Sequence, residues 1–181
     1  MRSSVLLKSK TNNHPTKTQK ISRIRRQRGY HWEDTLVKRF KKLDNWKAFR
    51  LGSPSVALPD ILAVSNKKSM LFTIEAKSGT GTTLQVPFDQ IQRCMKWVNT
   101  FELYQNRQVV LAFKFSSKKR IRTGEYERRQ LREFYKVWPK TQAPIDCVCT
   151  YEGKTYALEE GKKKKLTLKE HKMPFKSKHT H

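Results

Sequence analysis

Apolar residues begin to recur at helical spacing near Tyr30. Trp32, Leu36, Phe40 and Leu43 fall three or four apart, with Lys and Arg between them. This spacing predicts an amphipathic helix that ends near residues 44–45. The period then changes to two. "WKAFRL" (46–51), "DILAV" (60–64) and "SMLFTIEAK" (69–77) read as strands, and "SNKK" (65–68) reads as a hairpin turn between the last two. "GSPSVALP" (52–59) and "SGTGTT" (78–83) are loops rich in Gly, Ser, Thr and Pro. A second helix is expected from Pro87 to Phe101, with the stripe Ile91, Cys94, Met95, Val98 and Phe101. "RQVVLAFKF" (107–115) is a further strand, and "SSKKRIR" (116–122) a basic loop. Residues 125–137 fit a short helix or an irregular stretch with a strand. "IDCVCTY" (145–151) and "KTYAL" (154–158) form a hairpin around Glu152 and Gly153. Helix, three strands, helix and strand in that order predict a compact α/β domain: a mixed central sheet flanked by helices.

Two of these strands contain residues that a buried strand does not need. Asp60 opens one apolar run, and Glu75 nearly closes the next, with Lys77 two positions on. Alternation puts Glu75 and Lys77 on one side of their strand and Phe72, Ile74 and Ala76 on the other. Carboxylates from adjacent strands can converge on a hard divalent cation such as Mg²⁺, which prefers carboxylate and water oxygens. A neighbouring lysine can orient a water and stabilise charge on phosphorus. The plainer reading is that Asp60 caps a turn after Pro59, and that Glu75 and Lys77 form a solvated pair. Against it, a lone carboxylate that ends an apolar strand is costly unless partnered. Glu33 faces partly inward from the first helix, as a third carboxylate near the sheet or as a first-turn Glu favoured by the helix dipole.

Charge narrows the partner. Lys and Arg number 40 against 15 Asp and Glu, a net charge of +25. Residues 1–28 hold nine basic residues and no acid. Residues 161–181 hold eight lysines and one Glu, and the middle is basic too. Such a chain attracts polyanions, nucleic acid foremost. Residues 1–27 are expected to be a disordered basic arm. Residues 161–181 are expected to be a mobile Lys-rich tail, in which "GKKKK" makes sequence-independent phosphate contacts. No apolar run approaches the length of a membrane span, and no apolar leader follows the basic start, so a cytoplasmic, nucleoid-associated protein without a membrane partner is expected. Cys94, Cys147 and Cys149 have no metal-binding spacing and read as small packed residues. Trp32, Trp46, Trp97 and Trp138 read as packing rather than base-stacking residues, and the five histidines form no metal cluster.

"RGYHWEDTLVKRF" (28–40), "FRLGSPSVALPDILAV" (49–64), "LFTIEAKSG" (71–79) and "LQVPFDQIQRCMKWV" (84–98) together resemble the archaeal Holliday-junction resolvases, of the PD-(D/E)xK nuclease superfamily. The resemblance covers about residues 26–115. It implies a restriction-endonuclease-like nuclease core over 28–160. It also implies a Mg²⁺-dependent endonuclease (with Mn²⁺ as a substitute) that nicks paired strands of four-way DNA junctions as a homodimer. By position, it makes Asp60, Glu75 and the carbonyl of Ala76 metal ligands, Lys77 the catalytic lysine and Glu33 the helical carboxylate that completes the site. Arg50 and Ser53 match residues close to the scissile phosphate. Arg28 matches a basic residue that meets DNA, and Gln90 a position often polar in related nucleases. Arg25 and Arg26, and Lys118, Lys119 and Arg120 of the basic loop, are further candidate DNA contacts. Segment 116–160 resembles the family poorly. Two other readings remain beside this one. One is a superfamily nuclease acting on duplex, flap or foreign DNA. The other is a DNA-binding protein that keeps the fold without cleavage.

Overall fold

The computed structural model describes residues 17–52 and 57–176; of residues 17–26 and 28 it describes the helical backbone alone. The expected arm at 1–16, the candidate Ser53, and residues 177–181 lie outside the described residues.

The first helix, α1, runs Lys17–Lys41. The stretch 17–27, expected as part of a disordered arm, is therefore helical in its backbone. Trp32, Leu36, Val37 and Phe40 form the buried stripe of α1. Lys38, Arg39 and Lys41 occupy its last turn, where cations complement the helix dipole.

Strands β1 (Lys47–Arg50), β2 (Ile61–Ser65) and β3 (Met70–Gly79) follow as an antiparallel meander, with the expected hairpin between the last two. After β4 (Thr83–Val86), helix α2 (Phe88–Thr100) crosses over to β5 (Asn106–Phe115), which pairs parallel to β3. Helix α2 has no side-chain cap of its own. Asp146, far along the chain, accepts from the Phe88 N–H at 2.7 Å and serves instead.

Beyond β5 the chain is all strand: β6 (Lys118–Arg122), β7 (Glu125–Arg128), β8 (Arg132–Trp138), β9 (Cys147–Thr150), β10 (Thr155–Glu159), β11 (Lys162–Lys165) and β12 (Lys169–Glu170). The main sheet has the order β1-β2-β3-β5-β8-β12. A second sheet is β11-β10-β9-β4, and β6 with β7 forms a separate ribbon. The expected mixed sheet with helices is the observed architecture. The helix considered for 125–137 is absent. Phe134, Tyr135, Val137 and Trp138 favour a strand there, and the β5 edge offers them a partner.

Two cores sit on opposite faces of the main sheet. On one, α1 covers Phe72, Ile74, Ala76, Val110 and Ala112. On the other, α2 and the second sheet cover Leu71, Val109, Leu111, Phe113 and Phe115. Cys94, Cys147 and Cys149 are buried free thiols of this second core. Among the described residues no helix is long and apolar enough to cross a membrane.

The Lys-rich C-terminal stretch is not a loose tail over its described length. β11 pairs with β10, and β12 pairs with β8. Leu168 and Met173 are buried, and the Phe175 ring meets Phe40 edge-on at 5.0 Å. His171 packs its ring edge-on against Phe72 at 4.9 Å, and its Nε2 is buried without a hydrogen-bond partner. Burial, helped by Lys169, holds the His171 pKa below its ordinary 6.5. The unfolded chain therefore takes up this proton at higher pH than the folded one, and acid favours unfolding through this window. Stability is expected to fall as pH drops through the mid-6 range in the parent protein. His171→Gln should lack that component in thermal melts run against pH.

Candidate active site

Three elements converge where β2 and β3 part. Asp60 immediately precedes β2, and its Oδ2 accepts a hydrogen bond from the Ala76 N–H of β3 at 2.8 Å. This carboxylate takes over where the β2–β3 ladder ends at the Ile61–Ile74 pair. A strand residue directs its N–H and C=O to the same side, so the Ala76 carbonyl also opens toward Asp60.

Glu75 is fully buried, on the face of β3 that α2 covers. Lys77 donates to its Oε1 at 2.6 Å. The Arg93 guanidinium, from α2, spans both Glu75 oxygens at 3.2 and 3.0 Å and comes within 3.9 Å of Asp60 Oδ1. The buried-strand carboxylate is thus partnered twice, as its burial demands. The same-face placement of Glu75 and Lys77 is as the alternation required.

Glu33 reaches the site from α1. It is 7% exposed, and its Oε2 is buried with no hydrogen-bond partner. Gly52, after β1, lies between it and Asp60. A Cβ at Gly52 would stand 3.4 Å from Glu33 Oε2 and 3.6 Å from Asp60 Oδ1. Absence of a side chain there leaves a gap bordered by two carboxylates. Burial pushes the carboxyls of Glu33, Asp60 and Glu75 above their ordinary pKa values. Asp60 adds to the upward push on Glu75, as Glu33 does on Asp60, while Lys77 opposes all three shifts.

Three mutually repelling carboxylates, one with an orphaned oxygen, and a carbonyl on the same side form an all-oxygen donor set suited to a hard divalent cation. Among the described residues no three His, Cys, Asp or Glu side chains already stand in a metal-holding group. Lys77 and Arg93 occupy the Glu75 oxygens. To hold a cation, Glu75 must turn one oxygen away from them. Gly52→Ala is expected to fill the gap with a methyl group and weaken Mg²⁺ binding, measured by calorimetry, with an unchanged melting temperature.

The other candidates are dispersed around this centre. Arg50 lies at the rim, stacked 5.1 Å over the Tyr30 ring and 3.4 Å from Asp34. It draws the Glu33 pKa down, against burial. Gln90 lies on α2, with its Oε1 buried and unpartnered. Arg25, Arg26 and Arg28 fall on α1, where only their backbone is described. Lys118, Lys119 and Arg120 are in β6, on the exposed ribbon rather than in a loop.

Arg93 and Gly52 were not legible as site residues. Arg93 flanks the apolar stripe of α2, where a cation looks like any solvated surface residue until β3 supplies Glu75. Gly52 sits among Gly, Ser and Pro residues that read as a loop.

A family model described as archaeal Holliday junction resolvase (Hjc) matches residues 24–145. No curated protein matches the chain. Among solved structures, that of Hjc from Archaeoglobus fulgidus, a Holliday junction resolvase from an archaeal hyperthermophile, is similar with a TM-score of 0.46. It is 16% identical, over 68% of this chain and 89% of that one. The family match spans well over half of the sequence and includes Glu33, Asp60, Glu75 and Lys77, so the chain belongs to the archaeal Holliday junction resolvase family.

Proposed function

We propose that this protein is a divalent-cation-dependent endonuclease that nicks paired strands of four-way DNA junctions, as a homodimer with Mg²⁺ at each site, Mn²⁺ being an alternative. The observation that carries this reading is the meeting of Asp60, Glu75 and Lys77 at the end of the β2–β3 pair, with the orphaned Glu33 oxygen beside Asp60. Family membership supports a nuclease acting on branched DNA. We place the nuclease domain over 28–160, of which the same match covers 28–145, and the net charge of +25 supports a basic surface.

Each residue has a physical role in this reading. Glu33, Asp60, Glu75 and the Ala76 carbonyl would hold the cation. A bound Mg²⁺ supplies charge neutralisation at the phosphate and a more acidic water. The ammonium of Lys77, anchored on Glu75, points a donor at the attacking water or the phosphate. The Ala76 N–H fixes the Asp60 carboxylate, so Asp60 does not have to search for its geometry, while Arg93 holds Glu75 at the site until one of its oxygens turns to the cation. By their match to family positions, Arg50, at the rim, and Ser53 would contact the scissile phosphate. Arg25, Arg26 and Arg28 along α1 draw the DNA backbone in.

A supercoiled plasmid with an extruded cruciform tests the paired action. Two coordinated nicks convert it to linear DNA within one binding event. Linear product that appears without accumulation of nicked circles is expected in Mg²⁺, and none in EDTA. Nicked circles alone would contradict the dimeric, paired reading.

A further inference from the structure

The β6–β7 ribbon separates its charges by face. Lys118 pairs across from Arg128, and Arg120 from Tyr126. Partners across an antiparallel pair share a face, so Lys118, Arg120, Arg128 and Tyr126 lie together. That face has three cations, one aromatic ring and no carboxylate. The opposite face holds Lys119 across from Glu127, 3.7 Å apart, and Arg122 across from Glu125. It is balanced.

Like charges directly opposite each other cost stability. The ribbon accepts this cost at the Lys118–Arg128 pair, on strands that are solvent-exposed along nearly their whole length. A polyanion laid across the face removes the cost. Tyr126 is 45% exposed among these cations, and Ile121, the extra residue of the bulge, is 56% exposed. Neither has a core to join.

The ribbon is also aimed. A two-stranded ribbon by itself is marginal, but this one is pinned at its base. Arg120 N–H donates to the Thr80 carbonyl at 2.9 Å, and Arg129 N–H to the Ser117 carbonyl at 2.8 Å. The Arg129 guanidinium donates to the carbonyls of Ser116 and Gly81 and stacks 4.4 Å over Tyr151. Two of these anchors, Thr80 and Gly81, belong to the turn that follows β3, whose last residues include Lys77. A cleft of about 390 Å³, lined by His31, Ser78, Thr80, Lys114, Ser116 and Lys118, connects the ribbon base to that end of β3.

We propose that the ribbon is a one-sided DNA arm of the nuclease: Lys118, Arg120 and Arg128 take backbone phosphates of one junction arm, and Tyr126 stacks on an unstacked base at the branch. The proposal rests on the junction-nuclease reading for the identity of the polyanion. Cations spaced along one face suit a phosphate backbone, and a half-exposed ring among them suits a base that has lost its stacking neighbour. Lys119 is excluded from this face, although sequence alone grouped it with Lys118 and Arg120.

The test is binding by the full chain in EDTA, where cleavage does not interfere, to a four-way junction and to a matched duplex across a salt series. Arg120→Gln with Arg128→Gln should reduce the salt slope by about 2. Lys119→Gln with Glu127→Gln should leave it unchanged. Tyr126→Ala should weaken junction binding by about tenfold and leave duplex binding unchanged, with rescue by Tyr126→Phe. An unchanged slope in the Arg120/Arg128 variant, or equal loss on junction and duplex for Tyr126→Ala, overturns the proposal. Cleavage assays in Mg²⁺ on the same variants separate the two readings. If binding contrasts hold but the parent never cuts, the nuclease reading fails and the arm stands. If the parent cuts and the contrasts are absent, the arm fails alone.

Discussion

Replacement of Asp60 by Asn, or of Glu75 by Gln, is expected to lower junction cleavage by roughly a thousandfold while junction binding persists or strengthens. Both changes keep shape and remove charge. In Asp60→Asn the amide oxygen can still accept from the Ala76 N–H, so the loop after β1 keeps its anchor. In Glu75→Gln the new side chain still fits its buried place on β3 and keeps an oxygen for Lys77 and Arg93. What each variant loses is one of the negative charges that would hold the cation, and with it a repulsive charge facing DNA. Alanine at position 75 is a poorer probe, because it leaves the largely buried Arg93 with only the more distant Asp60, 3.9 Å away, and invites unfolding. The readouts are single-turnover cleavage, junction affinity in EDTA and Mg²⁺ binding by calorimetry. Full cleavage in both variants would assign these carboxylates a structural role only.

Truncation after Thr167 is expected to destabilise the fold severely. The removed stretch holds Leu168 and Met173, both buried, and Phe175, which packs on Phe40 and Tyr135. It also holds Glu170, which accepts from the Lys136 ammonium and the Tyr135 N–H. Loss of one buried Leu or Met side chain costs about 2–5 kcal/mol, so loss of the whole strap approaches the total stability of an ordinary domain. A fall in melting temperature of about 15 °C or more, or failure to fold, is expected. Substitution of Lys162, Lys163, Lys164 and Lys165 by Gln touches only exposed side chains. It should leave the melting temperature unchanged and weaken the salt dependence of DNA binding. A truncated chain that melts like its parent would restore the picture of a mobile tail.

The parts of the fold legible in the sequence were those built from local pattern. The α2 stripe, the β2–β3 hairpin, β5 and the Glu152–Gly153 hairpin each have their period and their turn residues in one short window. Asp60, Glu75 and Lys77 stood out because charged residues inside apolar strands need a reason. The C-terminal strap hid behind composition. Its lysines read as a solvated run, yet lysine is also what protects an exposed sheet edge from further pairing, and β11 is such an edge. Its apolar residues, Leu168, Met173 and Phe175, follow no helical or strand period. The first turns of α1 have no apolar stripe to announce them. Arg39 with Glu133 and Tyr135 is a partly buried network that joins residues more than 90 positions apart, and no local window contains it. Arg93 reads as a surface cation for the same reason.

The central claim is that Glu33, Asp60, Glu75 and Lys77 cut DNA at junctions with a divalent cation. The most direct measurement is cleavage of a synthetic four-way junction beside its matched linear duplex, in Mg²⁺ and in EDTA, by the parent protein and by Lys77→Ala. The account predicts cuts on the junction alone, in Mg²⁺ alone, and none from the variant. Tight junction binding with no cleavage in any divalent cation, or equal cleavage by Lys77→Ala, would contradict it.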